Sequence, residues 1–184
     1  MKHLKLIFAI VISSMLVYSC NDDNNSIPLP DNPTNLDSGR SSIGFTTDTS
    51  FGGNTNFNMF NSTSTFAYSS QDSVSRLVEI KATDSVNNLK REVIVLLVMP
   101  ASSNTTSGNL LFSLDTATTS SLYGNISLRT YNDTILGPVY RSVSGTVNLS
   151  RLTTKDVIGT FSGRFSDSAM NEINITNGSF SGRF

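Results

Sequence analysis

Histidine and cysteine are almost absent from this chain, which has one of each, His3 and Cys20. Beyond position 20 no imidazole is left to activate a serine or cysteine nucleophile, and no imidazole or thiolate to bind zinc. This excludes Ser-His-Asp and Cys-His hydrolases and zinc sites built on those ligands. Tryptophan is also absent, which disfavours a sugar-binding platform of indole rings. We therefore expect no metal and no cofactor.

An excess of positive charge is lacking too. The 13 Lys and Arg residues are balanced by 14 Asp and Glu residues, a formal net charge of −1. Without residues 1–19, 11 basic residues would face 14 acidic ones, a formal charge of −3. Such a balance gives no basic footprint for nucleic acid and no polybasic patch for anionic lipid. We expect no nucleic-acid partner.

The segment before the cysteine is typical of a bacterial lipoprotein signal. A basic start is followed by the apolar run Leu6 to Val17, and Ser19 directly precedes Cys20. The run is too short for the roughly 20 residues that cross a bilayer as a helix. We expect a cleaved signal peptide over residues 1–19 and acylation of Cys20, whose lipid chains would anchor the protein to a membrane. The alternative is a plain secretory signal with no role for Cys20.

Two acidic residues stand close behind the cysteine, in the order Asn21, Asp22 and Asp23. This resembles envelope lipoproteins of Bacteroidota, in which acidic residues just after the lipidated cysteine act as a signal for transport to the cell surface. The resemblance implies an outer-membrane lipoprotein that is exposed at the surface. The alternative is that these residues only begin a solvated tether.

Proline and small polar residues then dominate up to position 41. Pro28, Pro30, Pro33 and Gly39 lie in a stretch with little periodic hydrophobicity. We predict a flexible tether over residues 20–41 and one domain over residues 42–184, a length that suffices to bury a core.

Within residues 42–184, short alternating runs of apolar and polar residues are separated by turn residues. The Asn87-Asn88 pair between two such runs predicts a long β-hairpin. We expect an all-β domain, a single antiparallel β-sandwich or flattened β-barrel of about eight or nine strands. The predicted strands are Asn56–Phe60, Thr65–Tyr68, Arg76–Thr83, Lys90–Met99, Leu110–Leu114, Leu122–Tyr131, Val139–Leu149, Val157–Phe165 and Glu172–Phe184.

A seven-residue repeat lies near the end of the chain, where Gly159–Phe165 returns as Gly178–Phe184. We expect the two copies on neighbouring antiparallel strands. Gly163 stands between two inward-facing Phe residues and would leave room for a large side chain from the next strand. An anion site formed by Arg164 and Arg183 is the functional alternative to a packing motif.

Three segments near the end carry a further resemblance: Ser144–Val147, Ile158–Phe161 and Ile175–Phe180. They resemble the ending of a group of uncharacterised Bacteroidota envelope lipoproteins, in which a strand with G-T-F is followed by I-T-N-G-x-F. The shared residues are turn and core residues. The resemblance implies a β fold and an envelope location, and it implies no activity.

Five tripeptides consist of Asp, then Ser or Thr, then an apolar residue. This pattern is similar to the acceptor sites of protein O-glycosylation in exported Bacteroidota proteins, which implies glycans at exposed positions. The alternative is that Asp-Ser and Asp-Thr pairs only form turns. The candidate acceptors are Ser73, Ser85, Thr116, Thr134 and Ser168.

Paired carboxylates are the remaining route to acid–base catalysis, and Glu79, Glu92 and Glu172 are the glutamates of the chain. Basic residues surround the first two, which favours a salt-bridged surface over a glycosidase pair. Six aromatic residues between positions 45 and 68 could line a cavity, although a core is the commoner arrangement. They are Phe45, Phe51, Phe57, Phe60, Phe66 and Tyr68.

The sequence thus favours a membrane-anchored envelope lipoprotein that is no enzyme and acts as a binding or structural module. Its partners would be the membrane, through the lipid, and envelope proteins or glycans. A lipocalin-like carrier of an apolar ligand is the first alternative, and a carboxylate-based glycosidase is the second. A large cavity lined by the Phe residues would favour the carrier, and two carboxylates within reach of each other would favour the enzyme.

Overall fold

The computed structural model describes residues 36–60, 62–102, 104, 106–114 and 120–184. The predicted signal peptide over residues 1–19, Cys20, Asn21–Asp23 and Thr116 lie outside the described residues. Within the described ranges no helix is long and apolar enough to cross a membrane. The same ranges contain ten β-strands: β1 Ser41–Phe51, β2 Asn54–Phe60, β3 Thr65–Gln71, β4 Ser75–Val86, β5 Leu89–Pro100, β6 Ser107–Leu110, β7 Leu122–Asn132, β8 Ile135–Leu152, β9 Asp156–Ser166 and β10 Glu172–Arg183.

The ten strands form one sheet in the order β2-β1-β10-β9-β8-β6-β7-β5-β4-β3. Neighbouring strands are antiparallel except for β6 and β7, which are parallel. The long strand β8 pairs first with β7 and further along with β6, so that β6 fills the space where β7 and β8 diverge. The sheet is not closed into a barrel, because β2 and β3 remain its two edges. The prediction of an antiparallel β-sandwich or flattened barrel is confirmed.

The sheet folds over so that β3 reaches the start of β1, and a few hydrogen bonds fasten this seam. The amide of Ala67 donates to the carbonyl of Gly39 at 3.0 Å, and the Ser41 hydroxyl donates to the carbonyl of Lys81 at 3.0 Å. Leu36 is buried, and its carbonyl accepts a bond from Arg183. Residues 36–41, predicted as the end of the tether, therefore belong to the packed domain.

The core is built from the inward faces of the strands. On β5, every second residue from Val93 to Met99 points inward and is at most 1 % exposed, as expected for a strand with one buried face. Phe45, Phe51 and Phe57 are buried as well, and the rings of Phe45 and Phe57 stack with their centres 5.2 Å apart. The other three aromatic residues of the predicted cluster, at positions 60, 66 and 68, are exposed.

The predicted hairpin of β4 and β5 is confirmed, with Val86 opposite Leu89. Asn87 and Asn88 form its two-residue turn with φ angles of 50° and 66°. Positive φ at both central residues matches the right-handed twist of the flanking strands, and asparagine tolerates that conformation better than most residues.

One strand prediction was wrong and one strand was missed. The segment Leu110–Leu114 contains only the end of β6, because Asn125 donates to the carbonyls of Leu111 and Phe112 and holds them as a loop on the sheet. Strand β1 was missed, because its Ser, Thr and Gly residues blur the alternation and a register shift follows Gly44.

The repeat lies on the antiparallel neighbours β9 and β10, as predicted. Aromatic rings, however, lie over the first glycine of each copy, whereas a Cβ on the central Gly163 would meet the carbonyl of Ser144 first and a methyl group of Leu110 next. The ring of Phe161 lies where a Cβ on Gly178 would be, at 2.4 Å, and the ring of Phe180 lies equally close to Gly159. The two rings also contact each other, with centres 6.3 Å apart.

The structure does not bring Arg164 and Arg183 together. Arg164 pairs with Asn174 across the β9–β10 ladder, whereas Arg183 pairs with Asp156. At about 3.4 Å per residue, the two positions are about 27 Å apart along β9. Arg164 instead donates to Glu172 at 3.1 Å. The anion site proposed for this pair of arginines is therefore wrong.

Candidate ligand-binding face

Five neighbouring strands, β3, β4, β5, β7 and the first part of β8, turn one surface away from the core. We call this surface the outer face. One row of side chains crosses all five strands, because each residue is the cross-strand partner of the next and partners share a face of the sheet. The row is Phe66, Lys81, Ile94, Ser127 and Arg141.

Two further rows flank the first on the same face, two residues away on each strand. Their side chains must also point outward, since strand side chains alternate with a period of two. The inward neighbours Ile80, Val95 and Ile126 are fully buried, which fixes the assignment. The flanking rows are Tyr68, Glu79, Leu96 and Asn125 on one side, and Thr83, Glu92, Arg129 and Val139 on the other.

An ion cluster occupies the middle of the outer face. The carboxylate of Glu92 lies 2.6 Å from Lys81 Nζ and 3.4 Å from Arg129 Nη1, and it accepts a bond from the Tyr131 hydroxyl. Burial raises the pKa of Glu92, but the hydrogen bond and charge of Lys81, aided by Arg129 and Tyr131, outweigh it and leave the pKa below its usual value. Glu92 is therefore a structural anion that fixes two cations.

The predicted glutamate pair does not form an acid–base site. Glu79 lies opposite Leu96, and Glu92 lies opposite Thr83. The two glutamates are thus four ladder positions apart, about 13 Å between Cα atoms. Glycosidases hold their carboxyl groups about 5 to 9.5 Å apart. The third glutamate, Glu172, lies on β10 and pairs with Arg164.

Two arginines and an exposed phenylalanine frame one end of the outer face. The guanidinium of Arg141 lies over the ring of Phe112, 5.6 Å from its centre. The loop that carries Phe112 is held down by Asn125 and by the Ser142 hydroxyl, which donates to the carbonyl of Leu111 at 2.8 Å. A groove of about 280 Å³ results, lined by Leu96, Phe112, Ser113, Leu114, Asn125, Ser127, Arg129 and Arg141.

Two aromatic rings stand at the opposite end, on the edge strand β3. Phe66 and Tyr68 are 43 % and 48 % exposed, and their rings are nearly parallel with centres 6.4 Å apart. A groove of about 440 Å³ runs beside them. Its walls are rich in hydroxyl groups: Thr63, Ser64, Thr65, Phe66, Glu79, Lys81 and Thr83.

The outer face carries more positive than negative charge, although the whole chain has a formal charge of −1. Lys90 belongs to it, since its ammonium lies over the ring of Tyr131 at 5.3 Å. With Lys81, Arg129 and Arg141, four cations face the two carboxylates of Glu79 and Glu92. A negatively charged ligand would therefore be attracted to this surface.

The four described acceptor candidates for glycans are exposed. Ser73, Thr134 and Ser168 lie in turns, and Ser85 lies at the end of β4, where it lines a third groove together with Lys90.

Two of the aspartates before these hydroxyls act as turn formers, whereas Asp84, which precedes Ser85, lies in β4 and accepts bonds from Arg91. Asp72 accepts the backbone amides of Ser75 and Val74, which lower its pKa. Asp167 accepts the side chain and amide of Asn171. At Ser73 and Ser168 an exposed hydroxyl thus follows an aspartate that forms a turn.

The buried aromatic residues of the predicted cluster pack on one another and on Phe161 in the core. The rings of Phe51 and Phe161 lie 6.3 and 6.0 Å from that of Phe45. The grooves of about 280 and 440 Å³ and the groove beside Ser85, of about 590 Å³, lie at the surface, and of the six predicted aromatics only Phe66 lines one of these three.

Sequence reasoning missed Ser127, Arg129, Arg141 and Phe112 as site residues. A partial signal was present in β7, where Asn125, Ser127 and Arg129 alternate with buried residues. Alternation identifies an outward face but does not say what lies beside it on the next strand.

Comparison of the chain with protein-family models, with curated proteins and with solved structures finds no match. The strands and the outer face by themselves define an all-β domain that presents a charged, partly aromatic surface.

Proposed function

We propose that this chain is a lipid-anchored outer-membrane lipoprotein exposed at the cell surface, whose β domain is a non-enzymatic binding module. The signal sequence, Cys20 and the acidic residues behind it support the anchoring. The outer face is the observation that carries the binding role, because it joins two grooves, exposed rings and fixed cations on one surface. Binding sites combine apolar contact area with a few positioned polar groups in this way.

The anchor is tested with Cys20→Ala in cells fed an alkyne-tagged fatty acid. The native chain should incorporate the label and sediment with membranes, and the variant should do neither. Labelling of the Cys20→Ala chain would overturn the anchoring proposal, since the chain has no second cysteine.

Surface exposure is tested by adding protease to intact cells. The native chain should be cleaved, and the Asp22→Ala/Asp23→Ala variant should be protected because it would stay on the inner side. Asp31→Ala is the matched control, since it removes an acidic residue farther along the same segment. Protection of the native chain would contradict surface exposure.

We also propose O-glycans on the exposed hydroxyls of the Asp-Ser/Thr tripeptides. Mass spectrometry of fragments released from cells should find added mass at one or more of Ser73, Ser85, Thr116, Thr134 and Ser168. Unmodified fragments at all five positions would rule the modification out.

A further inference from the structure

We propose that the outer face binds a polysaccharide that carries carboxylate groups, with sugar rings against Phe66 and Tyr68 and carboxylates at Arg129 and Arg141. The inference rests on the proposed binding function and names its ligand. The row from Phe66 to Arg141 crosses five strands. Four strand spacings of about 4.8 Å make it about 19 Å long, which suits an extended chain of several sugars and exceeds what a single small molecule needs.

The aromatic end supplies contacts for sugar rings. Phe66 and Tyr68 are large aromatic side chains on an edge strand, and each is about half exposed. Large exposed apolar side chains that occur together mark interaction sites. The C–H face of a sugar ring is apolar and packs on an aromatic ring, while its hydroxyls need donors and acceptors nearby. The hydroxyls of Thr63, Ser64 and Thr83 in the adjoining groove provide both.

The arginine end supplies contacts for carboxylates. Arg141 pairs with Ser127 across the ladder, and Arg129 lies two residues further along the same strand. The two arginines are therefore diagonal neighbours about 7–8 Å apart. A guanidinium binds a carboxylate through two parallel hydrogen bonds. Phe112 packs on Arg141 and restrains it.

The charge balance selects an acidic ligand over a neutral one. Four cations and two carboxylates on the outer face leave an excess of positive charge on a chain that is negative as a whole. A neutral polysaccharide would bring no anion to Arg141, which contacts the ring of Phe112 and has no carboxylate partner among the described residues. An acidic peptide would satisfy the arginines, but it would make little use of the paired rings and the hydroxyl-rich groove.

The test measures binding of the purified full-length lipoprotein, in detergent, to three probes. These are polygalacturonate, the same polymer with its carboxylates methyl-esterified, and poly-glutamate. Polygalacturonate should bind, and its affinity should fall with salt, because screening weakens exposed charge pairs. The esterified polymer and poly-glutamate should bind at least about tenfold more weakly, as expected when one charge-assisted contact or the ring contacts are lost.

Variants locate the site. Arg129→Ala/Arg141→Ala and Phe66→Ala/Tyr68→Ala should each weaken polygalacturonate binding by about tenfold or more. Arg164→Ala is the matched control, since it removes an exposed arginine outside the outer face and should leave binding unchanged. Equal thermal unfolding of all variants would show that they are folded.

Three results would overturn the inference in different ways. Equal binding of the esterified polymer would show that the carboxylates are not recognised. Tighter binding of poly-glutamate, lost in the arginine variant, would keep the outer face as a binding site and replace the ligand by an acidic peptide. Binding of none of the probes, on a chain that is acylated and surface-exposed, would reject the ligand and leave the anchoring proposal standing.

Discussion

A buried arginine, Arg91, forms an ion pair with the partly buried Asp84 across the β4–β5 hairpin. Arg91 is 2 % exposed, and its Nε and Nη2 both donate to the Asp84 carboxylate. Its Nη1 donates to the carbonyls of Phe51 and Asn56 at 3.1 and 3.0 Å. The guanidinium also lies over the rings of Phe51 and Phe57. One side chain thus joins the hairpin to β1 and β2 on the opposite layer.

Asp84→Ala should lower the free energy of unfolding by about 3 kcal/mol, because it leaves a buried guanidinium without its anion. Urea denaturation followed by circular dichroism measures the change. Glu172→Ala is the matched control, since it breaks an ion pair with Arg164 whose side chains are both nearly half exposed. The control should cost about 0–1 kcal/mol. Equal losses of unfolding free energy in the two variants would show that the ion pair of buried Arg91 stabilises the domain no more than an exposed pair does.

Gly178→Ala should lower the free energy of unfolding by about 1–3 kcal/mol, because the new methyl group would overlap the ring of Phe161. Thermal and urea unfolding measure the loss. The partner variant Phe161→Leu removes the overlapping ring, so Gly178→Ala should cost less in that background. An unchanged cost would mean that the backbone, and not the ring, requires glycine at this position.

Asn88→Ala should cost about 1 kcal/mol, because alanine is strained at a φ of 66°. Asn88→Gly should stay within about 0.5 kcal/mol of the native chain, since glycine adopts positive φ without strain. Asn58→Ala on β2 is the control for loss of an exposed asparagine in ordinary strand backbone. If Asn88→Ala and Asn58→Ala lose the same free energy of unfolding in urea denaturation, the positive φ at Asn88 does not account for the loss.

Acidification should weaken the domain partly through Glu92. The folded-state pKa of Glu92 is lowered, so its contribution is present above the unfolded-state pKa and is lost as pH falls through the folded-state pKa. The native chain should exceed Glu92→Gln in stability most at neutral pH, and this advantage should shrink below about pH 4.5. Urea denaturation across that range measures it.

Lys81→Met provides the control for the pH prediction, since Lys81 is the main group that lowers the pKa of Glu92. In that background the stability advantage over Glu92→Gln should be smaller at neutral pH. An advantage that grows on acidification would contradict the assigned direction of the shift.

Most strands could be predicted from the sequence because their patterns are local. β4, β5 and β7 alternate cleanly, and an Asn-Asn pair ends the first of them. β1 could not be found in this way, since Thr47 and Thr49 stand where the alternation of Ile43 and Phe45 would place apolar residues. Its strand pairing comes from β10 and β2, which lie far along the chain or beyond a turn.

The candidate site could not be predicted to the same extent. The exposed arginines and rings are visible in the sequence only as single residues. The row from Phe66 to Arg141 exists because four ladders have a particular register, and a shift of one residue in any of them would turn a side chain to the other face. Arg91 is a similar case, because it occupies an inward position and its burial depends on the carbonyls of Phe51 and Asn56 as well as on Asp84.

The sequence by itself determined that this chain forms β-strands, where the β4–β5 hairpin turns, and that the two repeat copies are neighbours. It also determined that no histidine lies beyond position 20 to activate a serine or cysteine nucleophile. The tertiary structure decided which aromatics are buried, which glycines receive the rings of Phe161 and Phe180, and which residues share the outer face. The physical reason is that alternation and turn propensity act between near neighbours, whereas burial and register depend on contacts between residues far apart in the chain.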